Sequence, residues 1–554
     1  MHDKNIPEEG YRLSVSKKGV SLMAAKPAGI FYGLQTLYQL LPKNIVSKQR
    51  IQIDGLQVPV LTIEDHPRFG WRGLMLDVSR HFFKVSEVKD YIDQMAKYKF
   101  NLLHLHLTDD QGWRLQIKSL PKLTEVGAWR VDKTGTFGKF SAPTIDEPKT
   151  YGGFYTHEDI KEIVQYAKDR FVNILPEIDI PGHSLAAIAA YPELTCTPGT
   201  YAVNSGEQFM IWPDNGQHFY GILDNTLCPA NEKVFEFIDK VFTEVAQLFP
   251  FQYIHMGGDE TARNFWEKSE VIKALMQKEK LKNLDEVQSY FVKRVEKIIN
   301  SKGKTMIGWD EILDGGLAPN AAVMSWRGMK GGIEAAKQGH EVVMSPTDFT
   351  YIDYMQSDVV MEPPVYATLR LKKTYQFEPV PEGVKSATCC GGTPWFTTYA
   401  KPYVEYAARI CCAASADARS TVGMVRVLCV VSVDSAAIGT IMPLRRRKVG
   451  RASASRPPVP IRVGFDAAQY PECFLSTVGF PPATDERIAD MNPERILKGT
   501  FMFAAFASFL LSVTIYFQAG DDINGRLNGI FVGIWVPSIL ALGAFVLAHR
   551  KPSQ

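Results

Sequence analysis

The strongest constraint on the fold is a regular alternation between about residues 66 and 350. Short apolar runs that end in polar or charged residues alternate there with amphipathic helical patterns such as VSEVKDYIDQMAKYK and HEDIKEIVQYAKDR. The apolar runs are GLMLDVSR, LLHLHLTDD, VNILPEIDIPGH, YIHMGGDE, MIGWDEI, AVMSWRG and EVVMSP. This alternation is typical of a parallel sheet with crossover helices, and seven or eight repeats favour closure into a (β/α)8 TIM barrel. We therefore predict an α/β fold.

The rest of the chain divides into smaller regions. Before the barrel, YRLSV, VSLMAA and IQIDGLQVPVLTI are predicted strands and AGIFYGLQTLYQLLP a predicted helix. The predicted regions are a partial small α+β domain at 1–62, the barrel at 63–384, a divergent segment at 385–490, and two transmembrane helices at 491–554. No eighth βα unit is evident after residue 385, so we expect the barrel to be open between its first and last strands.

Composition excludes several classes of protein. The 554 residues include 62 Lys+Arg and 60 Asp+Glu, a net charge of +2, with 45% hydrophobic residues. These values are ordinary for a globular protein and fit neither a disordered chain nor a nucleic-acid-coating one, so no nucleic-acid partner is expected. The 8 cysteines show no C-x-x-C spacing. No metal and no cofactor is predicted, and cysteine usage leaves the redox compartment open.

Two uncharged runs near the C-terminus predict a membrane hairpin. Residues 499–520 and 527–548 are 22 residues each and contain no charge. Each run is long enough to cross a bilayer as a helix, and we expect membrane association through residues 499–548. A buried hairpin in a soluble domain is the weaker alternative, because both runs are apolar all round. Lys and Arg outside both runs would place both ends in the cytoplasm, and MHDKNIPEEGYRLSV resembles no secretory signal.

A basic stretch precedes the hairpin. Between Asp434 and Asp466 there are seven Lys or Arg and no acid, among Ala, Ser and Pro. Such a stretch could bind nucleic acid or anionic lipid, but a disordered linker or a segment not selected to fold is the favoured interpretation.

The sequence YIHMGGDE at residues 253–260 is the most informative for chemistry. It is an apolar strand that ends in two glycines and the adjacent carboxylates Asp259 and Glu260. Glycines at a strand end let a ligand approach closely, and paired acids in a cleft push their pKa values apart, so that one can serve as a general acid. Taken alone, an Asp-Glu pair at a strand end is more often a helix cap or a salt-bridged surface.

Other strand ends carry polar and aromatic residues that would meet at the same mouth of a barrel. An array of hydrogen-bonding groups and indole faces suits a sugar ring, with its hydroxyls and apolar C–H faces. Each residue singly has a structural alternative, such as a packed Trp or a hydrogen-bonded loop His. The residues are Asp77, Arg80, His81, Asp109, Asp110, Asp179, His183, Trp309, Asp310, Glu311, Trp326, Tyr351 and Asp353.

Six motifs carry a resemblance to a known family. HPRFGWRGLMLDVSRHFF, NLLHLHLTDDQGWRLQI, PEIDIPGHSLAAIAAYPEL, HMGGDE, GWDEIL and VMSWRG resemble, in order and spacing, the β-N-acetylhexosaminidases of glycoside hydrolase family 20. The resemblance runs from about residue 10 to about residue 383. It implies a (β/α)8 barrel after a small α+β domain, and an exo-acting retaining hydrolase that removes terminal β-linked N-acetylglucosamine or N-acetylgalactosamine from a glycan.

The resemblance also implies a mechanism and a set of site residues. In this family catalysis is substrate-assisted, an exception to the two-carboxylate scheme. Glu260 would be the general acid/base, and the substrate's own 2-acetamido oxygen the nucleophile. Asp259 would orient the acetamido N–H, and Tyr351 would hydrogen-bond the acetamido oxygen. Sugar contacts are implied for Arg80, Trp309, Trp326, Asp353 and Trp395, and a polar relay behind the acid for Asp109 and His183.

The sequence departs from the family pattern after residue 385. Trp395 and Val404-Glu405-Tyr406 are retained, but Thr398 stands where the family carries a glutamate. A reading-frame disturbance followed by a joined membrane segment is one account of this divergence. The alternative function is an inactive sugar-binding remnant anchored by the C-terminal hairpin.

Overall fold

An antiparallel three-stranded sheet with one helix forms the N-terminal domain. The computed structural model describes residues 4–42, 58–133, 140–211, 219–357, 365, 367–384 and 389–392. Strands β1 (Tyr11–Ser16), β2 (Gly19–Ala24) and β3 (Leu61–Asp65) lie in the order β2-β1-β3. Helix α1 (Pro27–Leu40) contacts β1 and β2. The predicted small α+β unit is therefore present.

The remaining strands fall into a barrel and short hairpins. In chain order they are β4 (Trp71–Asp77), β5 (Leu102–His106), β6 (Thr108–Asp109), β7 (Gly112–Trp113), β8 (Trp129–Arg130), β9 (Tyr151–Gly152), β10 (Asn173–Glu177), β11 (Met210–Ile211), β12 (Tyr220–Gly221), β13 (Tyr253–His255), β14 (Thr305–Trp309), β15 (Ala322–Ser325), β16 (Val342–Met344) and β17 (Cys389–Gly392). A closed parallel barrel runs β4-β5-β10-β13-β14-β15-β16-β17 and returns to β4, while β6-β7, β8-β9 and β11-β12 are antiparallel pairs. Each of the seven apolar runs singled out in the sequence supplies one barrel strand, which confirms the predicted TIM-barrel fold.

Helices connect the barrel strands along the chain. They are α2 (Val85–Lys97), α3 (Lys122–Glu125), α4 (His157–Lys168), α5 (Leu185–Ala190), α6 (Glu232–Leu248), α7 (Asn264–Lys268), α8 (Glu270–Glu279), α9 (Leu284–Ser301), α10 (Lys330–Lys337), α11 (Thr347–Thr350) and α12 (Leu371–Thr374). Short 3-10 turns cover Pro192–Leu194 and Asp310–Leu313. Helix α4 begins with a capping box, in which Thr156 and Asp159 bond each other's backbone N–H groups. The two helices predicted from VSEVKDYIDQMAKYK and HEDIKEIVQYAKDR are α2 and α4.

Strand β17 closes the barrel where the sequence analysis expected an open seam. It pairs in parallel with β16 on one side and with β4 on the other, where Gly391 and Gly392 lie opposite Trp71 and Arg72. The expectation that the barrel lacks its eighth strand is therefore wrong. Parallel pairing uses backbone N–H and C=O groups, which almost any residue supplies. The segment CCGG could thus form a strand without the apolar run that revealed the other seven.

The C-terminal predictions fall outside the residues that the structure describes. This applies to the hairpin at 499–548, to the basic stretch and to Trp395. Within the described ranges, no helix has both the length and the apolar character needed to cross a membrane.

The interior of the barrel is divided into two layers. Trp71, Leu102, Leu175 and Ile307, at the starts and middles of their strands, belong to one buried apolar cluster. Nearer the carboxyl ends, strand register places polar residues side by side. Asp77 lies opposite His106, His106 opposite Glu177, and Glu177 opposite His255. The apolar layer supports a layer of charged side chains directly beneath the mouth of the barrel.

One buried ion pair joins the N-terminal domain to the barrel. The Arg72 guanidinium, at the start of β4, contacts both Glu9 carboxylate oxygens, at 2.9 and 3.0 Å. It also donates to the backbone carbonyls of Phe69 and Lys99. The arginine side chain is 1% exposed, and that of Glu9 is 23% exposed.

Arg72→Ala is expected to destabilise the protein by about 3 kcal/mol or more, because it leaves the Glu9 carboxylate without its cationic partner and two backbone carbonyls without their side-chain donor. The matched control is Arg12→Ala, since Arg12 pairs with Glu64 at the surface, where the side chains are 38% and 63% exposed. That loss should stay below about 1 kcal/mol. Urea unfolding of both variants measures the difference, and equal losses would contradict the role of this ion pair.

Candidate active site

The two adjacent carboxylates lie on a tight loop after β13. Gly257 has φ +70°, Gly258 φ +99° and Glu260 φ +41°. A Cβ atom on Gly257 would come 1.7 Å from Asp179 Oδ1, which no side chain can tolerate. The glycine pair therefore lets this loop turn sharply against β10, and it presents Asp259 and Glu260 at the mouth of the barrel.

Asp259 and Glu260 have different environments. The side chain of Asp259 is 8% exposed and that of Glu260 is 18% exposed. Burial and the neighbouring Glu260 charge raise the pKa of Asp259 to about 6, against the opposing effect of His183. No described residue donates a hydrogen bond to Asp259 Oδ1. This oxygen is therefore a buried acceptor that no described residue uses.

His183 stands between these carboxylates and a second acidic pair. Its Nε2 lies 3.5 Å from Glu260 Oε2 and 3.7 Å from Asp259 Oδ2. Its Nδ1 lies 3.2 Å from Asp109 Oδ1 and 3.3 Å from Asp110 Oδ2. Burial opposes the charged imidazole, but the carboxylates of Asp109, Asp179 and Asp259 raise the pKa of His183 well above its usual range. The structure therefore brings together Asp109, His183 and Glu260 as a chain of acidic and basic groups.

Arg80 anchors the far end of this chain. Its Nη2 lies 2.5 Å from Asp109 Oδ2, and its Nη1 donates to Asp77 Oδ2 at 2.8 Å. Although burial opposes ionisation of Asp109, Arg80 and His183 hold the pKa of that carboxyl far below its usual range. The guanidinium is 9% exposed, so it lies just below the surface of the mouth.

Aromatic side chains form one wall of the mouth. The rings of Trp326 and Tyr351 are stacked, with centroids 6.3 Å apart and an interplanar angle of 22°. The Trp326 indole donates to Glu311 Oε2 at 2.8 Å, which fixes the ring plane. Burial, followed by the charge of Asp310, raises the pKa of Glu311 well above its usual range.

Trp309 and Asp353 occupy different depths of the same site. Trp309 is 1% exposed, and its indole N–H donates to Glu177 Oε1 at 2.8 Å inside the barrel. Burial raises the pKa of Asp353 to about 8. The negative charge of Asp77 also raises this pKa, and the positive charge of Arg80 lowers it. Of the ten predicted site residues, the structure gathers nine at this end of the barrel, and Trp395 lies outside the described residues.

A polar layer below the site is absent from the predicted site residues. His104, His106, Glu177 and His255 are buried, at no more than 1% exposure. The sequence signal for this layer is the presence of polar residues within otherwise apolar strands, as in LLHLH and LPEI. Because side chains alternate along a strand, His104 and His106 share one face, which is the barrel interior.

Among the residues that the structure describes, four groups of side chains have the donor types and the proximity to share a metal ion. Within each group the ligand atoms lie within 4.8 Å of one another. Glu177 belongs to two of the groups, and both of its oxygens already accept hydrogen bonds from ring N–H groups. The groups are His104-Glu177-His255, His106-Glu177-Asp179, Asp109-Asp179-His183 and His183-Asp259-Glu260. The prediction that the site uses no metal stays a prediction.

Charged and aromatic side chains at the carboxyl ends of barrel strands are typical of TIM-barrel enzymes. The catalytic domain of glycosyl hydrolase family 20 matches residues 69–394, and domain 2 of the same family matches residues 1–66. The chain therefore belongs to glycosyl hydrolase family 20.

Individual relatives agree with this assignment. The β-hexosaminidase of Porphyromonas gingivalis is 44% identical over 379 residues, which are 68% of this chain and 45% of that protein. The β-hexosaminidase of Vibrio furnissii is 38% identical over 384 residues, 68% of this chain and 58% of its own length. The chain thus spans about half the length of these curated relatives.

Solved structures show the same fold. The family 20 β-N-acetylhexosaminidase of Streptomyces coelicolor superposes with a TM-score of 0.63 at 31% identity, over 78% of each chain. The exo-β-N-acetylglucosaminidase of Vibrio harveyi, solved with N-acetylglucosamine, gives 0.63 at 32% identity, over 78% of this chain and 64% of that one.

Proposed function

We propose that the protein is an exo-acting, retaining β-N-acetylhexosaminidase that removes terminal β-linked N-acetylglucosamine or N-acetylgalactosamine by substrate-assisted catalysis. The observation that carries this proposal is the adjacency of a buried Asp259 and a more exposed Glu260 on one loop. A retaining enzyme with a protein nucleophile needs two carboxyl groups that face each other across the sugar, about 5 Å apart. Neighbouring carboxylates suit a mechanism in which the nucleophile belongs to the substrate.

Glu260 has the position of a general acid/base. In the first step its carboxyl group protonates the glycosidic oxygen while the substrate's acetamido oxygen attacks the anomeric carbon. The bond between this carbon and the glycosidic oxygen breaks, the aglycone leaves as an alcohol, and an oxazolinium intermediate remains. In the second step the resulting carboxylate takes a proton from the water that opens this intermediate. His183, 3.5 Å away, is placed to respond to the change of charge on Glu260.

Asp259 and Tyr351 have positions that suit the acetamido group. Asp259 Oδ1 can accept its N–H and stabilise the positive charge that develops on the oxazolinium ring. The Tyr351 hydroxyl can donate to the acetamido oxygen, and the stacked Trp326 can cover the apolar methyl group. Arg80 and Asp353 are left to bind sugar hydroxyls at the other side of the mouth.

Related proteins support the choice of substrate. The Vibrio harveyi enzyme was solved with N-acetylglucosamine, and a β-hexosaminidase of Streptomyces plicatus was solved with the product GlcNAc. Family membership, together with the motifs around residues 259 and 260, extends that chemistry to this chain.

Release of 4-nitrophenol from its N-acetyl-β-glucosaminide and N-acetyl-β-galactosaminide tests the proposal on the full chain. Turnover that is lower in a matched Glu260→Gln preparation is the expected result. Binding of N-acetylglucosamine without turnover of either substrate would instead favour an inactive sugar-binding protein.

The acid side of the pH profile is expected to report Asp259. Its carboxylate must be ionised to accept the acetamido N–H, and its pKa is about 6. As the pH falls through 6, the carboxyl becomes protonated, so kcat/KM should decline below about pH 6. Asp259→Asn should lower kcat/KM and abolish this limb, because the amide does not titrate. An unchanged limb in the variant would assign the ionisation to another group.

A further inference from the structure

A buried carboxylate lies one layer beneath the proposed acid and its relay. Glu177, the last residue of β10, has a fully buried side chain. Its Oε2 lies 2.6 Å from His106 Nδ1, and its Oε1 accepts the Trp309 indole N–H at 2.8 Å. His104 Nε2 and His255 Nδ1 approach the same carboxylate at 2.9 and 3.1 Å. Side chains from three other strands therefore converge on this single charge.

His106 lies between two carboxylates. Its Nδ1 faces Glu177, and its Nε2 lies 3.0 Å from Asp109 Oδ2. An ionised carboxylate can only accept hydrogen bonds, so a ring nitrogen that bonds to one must carry a proton. Arg80 Nη1 is 3.2 Å from the same Nε2; it donates one N–H to Asp77 Oδ2 and has a second N–H. Because Asp109 Oδ2 lies nearer to Nε2 than Arg80 Nη1 does, the geometry favours a charged imidazolium at His106.

The electrostatic surroundings agree with this protonation state. Burial opposes the charge, but Glu177 and Asp77 raise the pKa of His106 well above its usual range. Burial lowers the pKa of His104 to about 4, so this neighbour is neutral at physiological pH. The other charged or titratable groups that act on the pair are Arg80, Asp109, Asp179 and His255.

The imidazolium connects directly to the proposed relay. Asp109 contacts His106 through Oδ2 and His183 through Oδ1, and His183 reaches Glu260. We propose that Glu177 is a positioning residue for the hydrolysis, which holds His106 as an imidazolium and thereby sets the charge that Asp109 and His183 present to Glu260. This inference rests on the proposed function, and it extends the relay implied for the family by one buried layer.

Glu177→Gln changes this charge without removing hydrogen-bonding groups. Because the Trp309 indole can only donate, the amide oxygen of the new side chain must stay beside it. The amide NH2 then faces His106 Nδ1, which can accept only in the neutral ring. The variant should therefore convert His106 to the neutral tautomer with its proton on Nε2, still bonded to Asp109.

The expected consequence is an altered general acid. The substitution removes a negative charge from Glu177 and a positive charge from His106, so the relay through Asp109 and His183 presents a different charge to Glu260. The alkaline limb of kcat/KM should be displaced by about 0.5 pH unit. The kcat on a poor leaving group should fall by up to about 3-fold, while a dinitrophenyl substrate, which needs little protonation, should lose less.

A double-mutant cycle separates this role from a structural one. If Glu177 acts through Glu260, Glu177→Gln should cause no further loss in a Glu260→Gln background. Glu296→Gln is the matched control, because Glu296 is equally a buried glutamate, 3% exposed, but caps Asn320 on the outer side of the barrel. It should leave kcat, KM and the pH profile unchanged.

The outcomes distinguish the two proposals. A leaving-group-dependent loss, a displaced alkaline limb and a non-additive double variant support the role of Glu177. Equal losses on both leaving groups would overturn this role if the alkaline limb is also unmoved, or if the losses of the two single variants multiply in the double variant. The proposed function would still stand. An inactive wild-type chain would overturn both. If Glu177→Gln shows no cooperative thermal transition, His106→Gln should displace the alkaline limb upwards, because it removes the positive charge alone.

Discussion

Glu260→Gln is expected to lower kcat on a poor leaving group, such as a disaccharide, by about 10²-fold or more. Glutamine keeps the size and hydrogen bonding of the side chain but has no proton to transfer. The loss should shrink on dinitrophenyl substrates, since their leaving group departs without protonation. Initial rates on the two substrate classes, with the thermal transition as a check on folding, measure this difference.

The same Glu296→Gln variant serves as the control for this substitution, because it makes the same chemical change in a buried glutamate away from the mouth. Near wild-type turnover of a disaccharide by Glu260→Gln would contradict the assignment of the general acid/base. Equal losses on good and poor leaving groups would point to a binding or folding role instead.

Replacing the substrate's 2-acetamido group with a hydroxyl is expected to reduce kcat/KM by at least about 10³-fold. A plain β-glucoside has no internal nucleophile. A nucleophile held next to the reacting carbon acts at a very high effective concentration and accelerates the reaction accordingly. The comparison is made between 4-nitrophenyl N-acetyl-β-glucosaminide and 4-nitrophenyl β-glucoside under the same conditions. Efficient cleavage of the glucoside would exclude substrate-assisted catalysis.

A protein-side variant tests the same step. Tyr351→Phe should lower kcat on the acetamido substrate by about 10²-fold, because it removes a hydrogen bond to the oxygen that attacks. Tyr290→Phe is the matched control, since that hydroxyl bonds Arg294 on the outer helix α9. Similar effects from both variants would remove Tyr351 from the mechanism.

The sequence predicted those strands that contain a run of hydrophobic residues. Runs such as GLMLDVSR and AVMSWRG became β4 and β15, because both faces of a parallel barrel strand are buried. Strand β17 was missed because its segment, CCGG, has no such run and depends on its neighbours for pairing.

The placement of the site residues followed from the fold class. Residues at the carboxyl ends of barrel strands must meet at one mouth, which is why Arg80, Asp109, His183 and Asp259 could be grouped without coordinates. The distances, the order of contacts and the shifted pKa values could not be derived in this way. They depend on the rotamers and burial that neighbouring strands impose.

The sequence by itself determined seven of the barrel strands, the Gly-Gly-Asp-Glu loop and the residue types that face the mouth, because periodicity and local backbone requirements are properties of a short segment. Only the tertiary structure decided that His106 lies between Glu177 and Asp109. These residues come from different parts of the chain, and strand register places His106 opposite Glu177 across the pair β5 and β10. Register is set by the packing of the whole barrel, so the charge of that histidine is a property of the assembled fold.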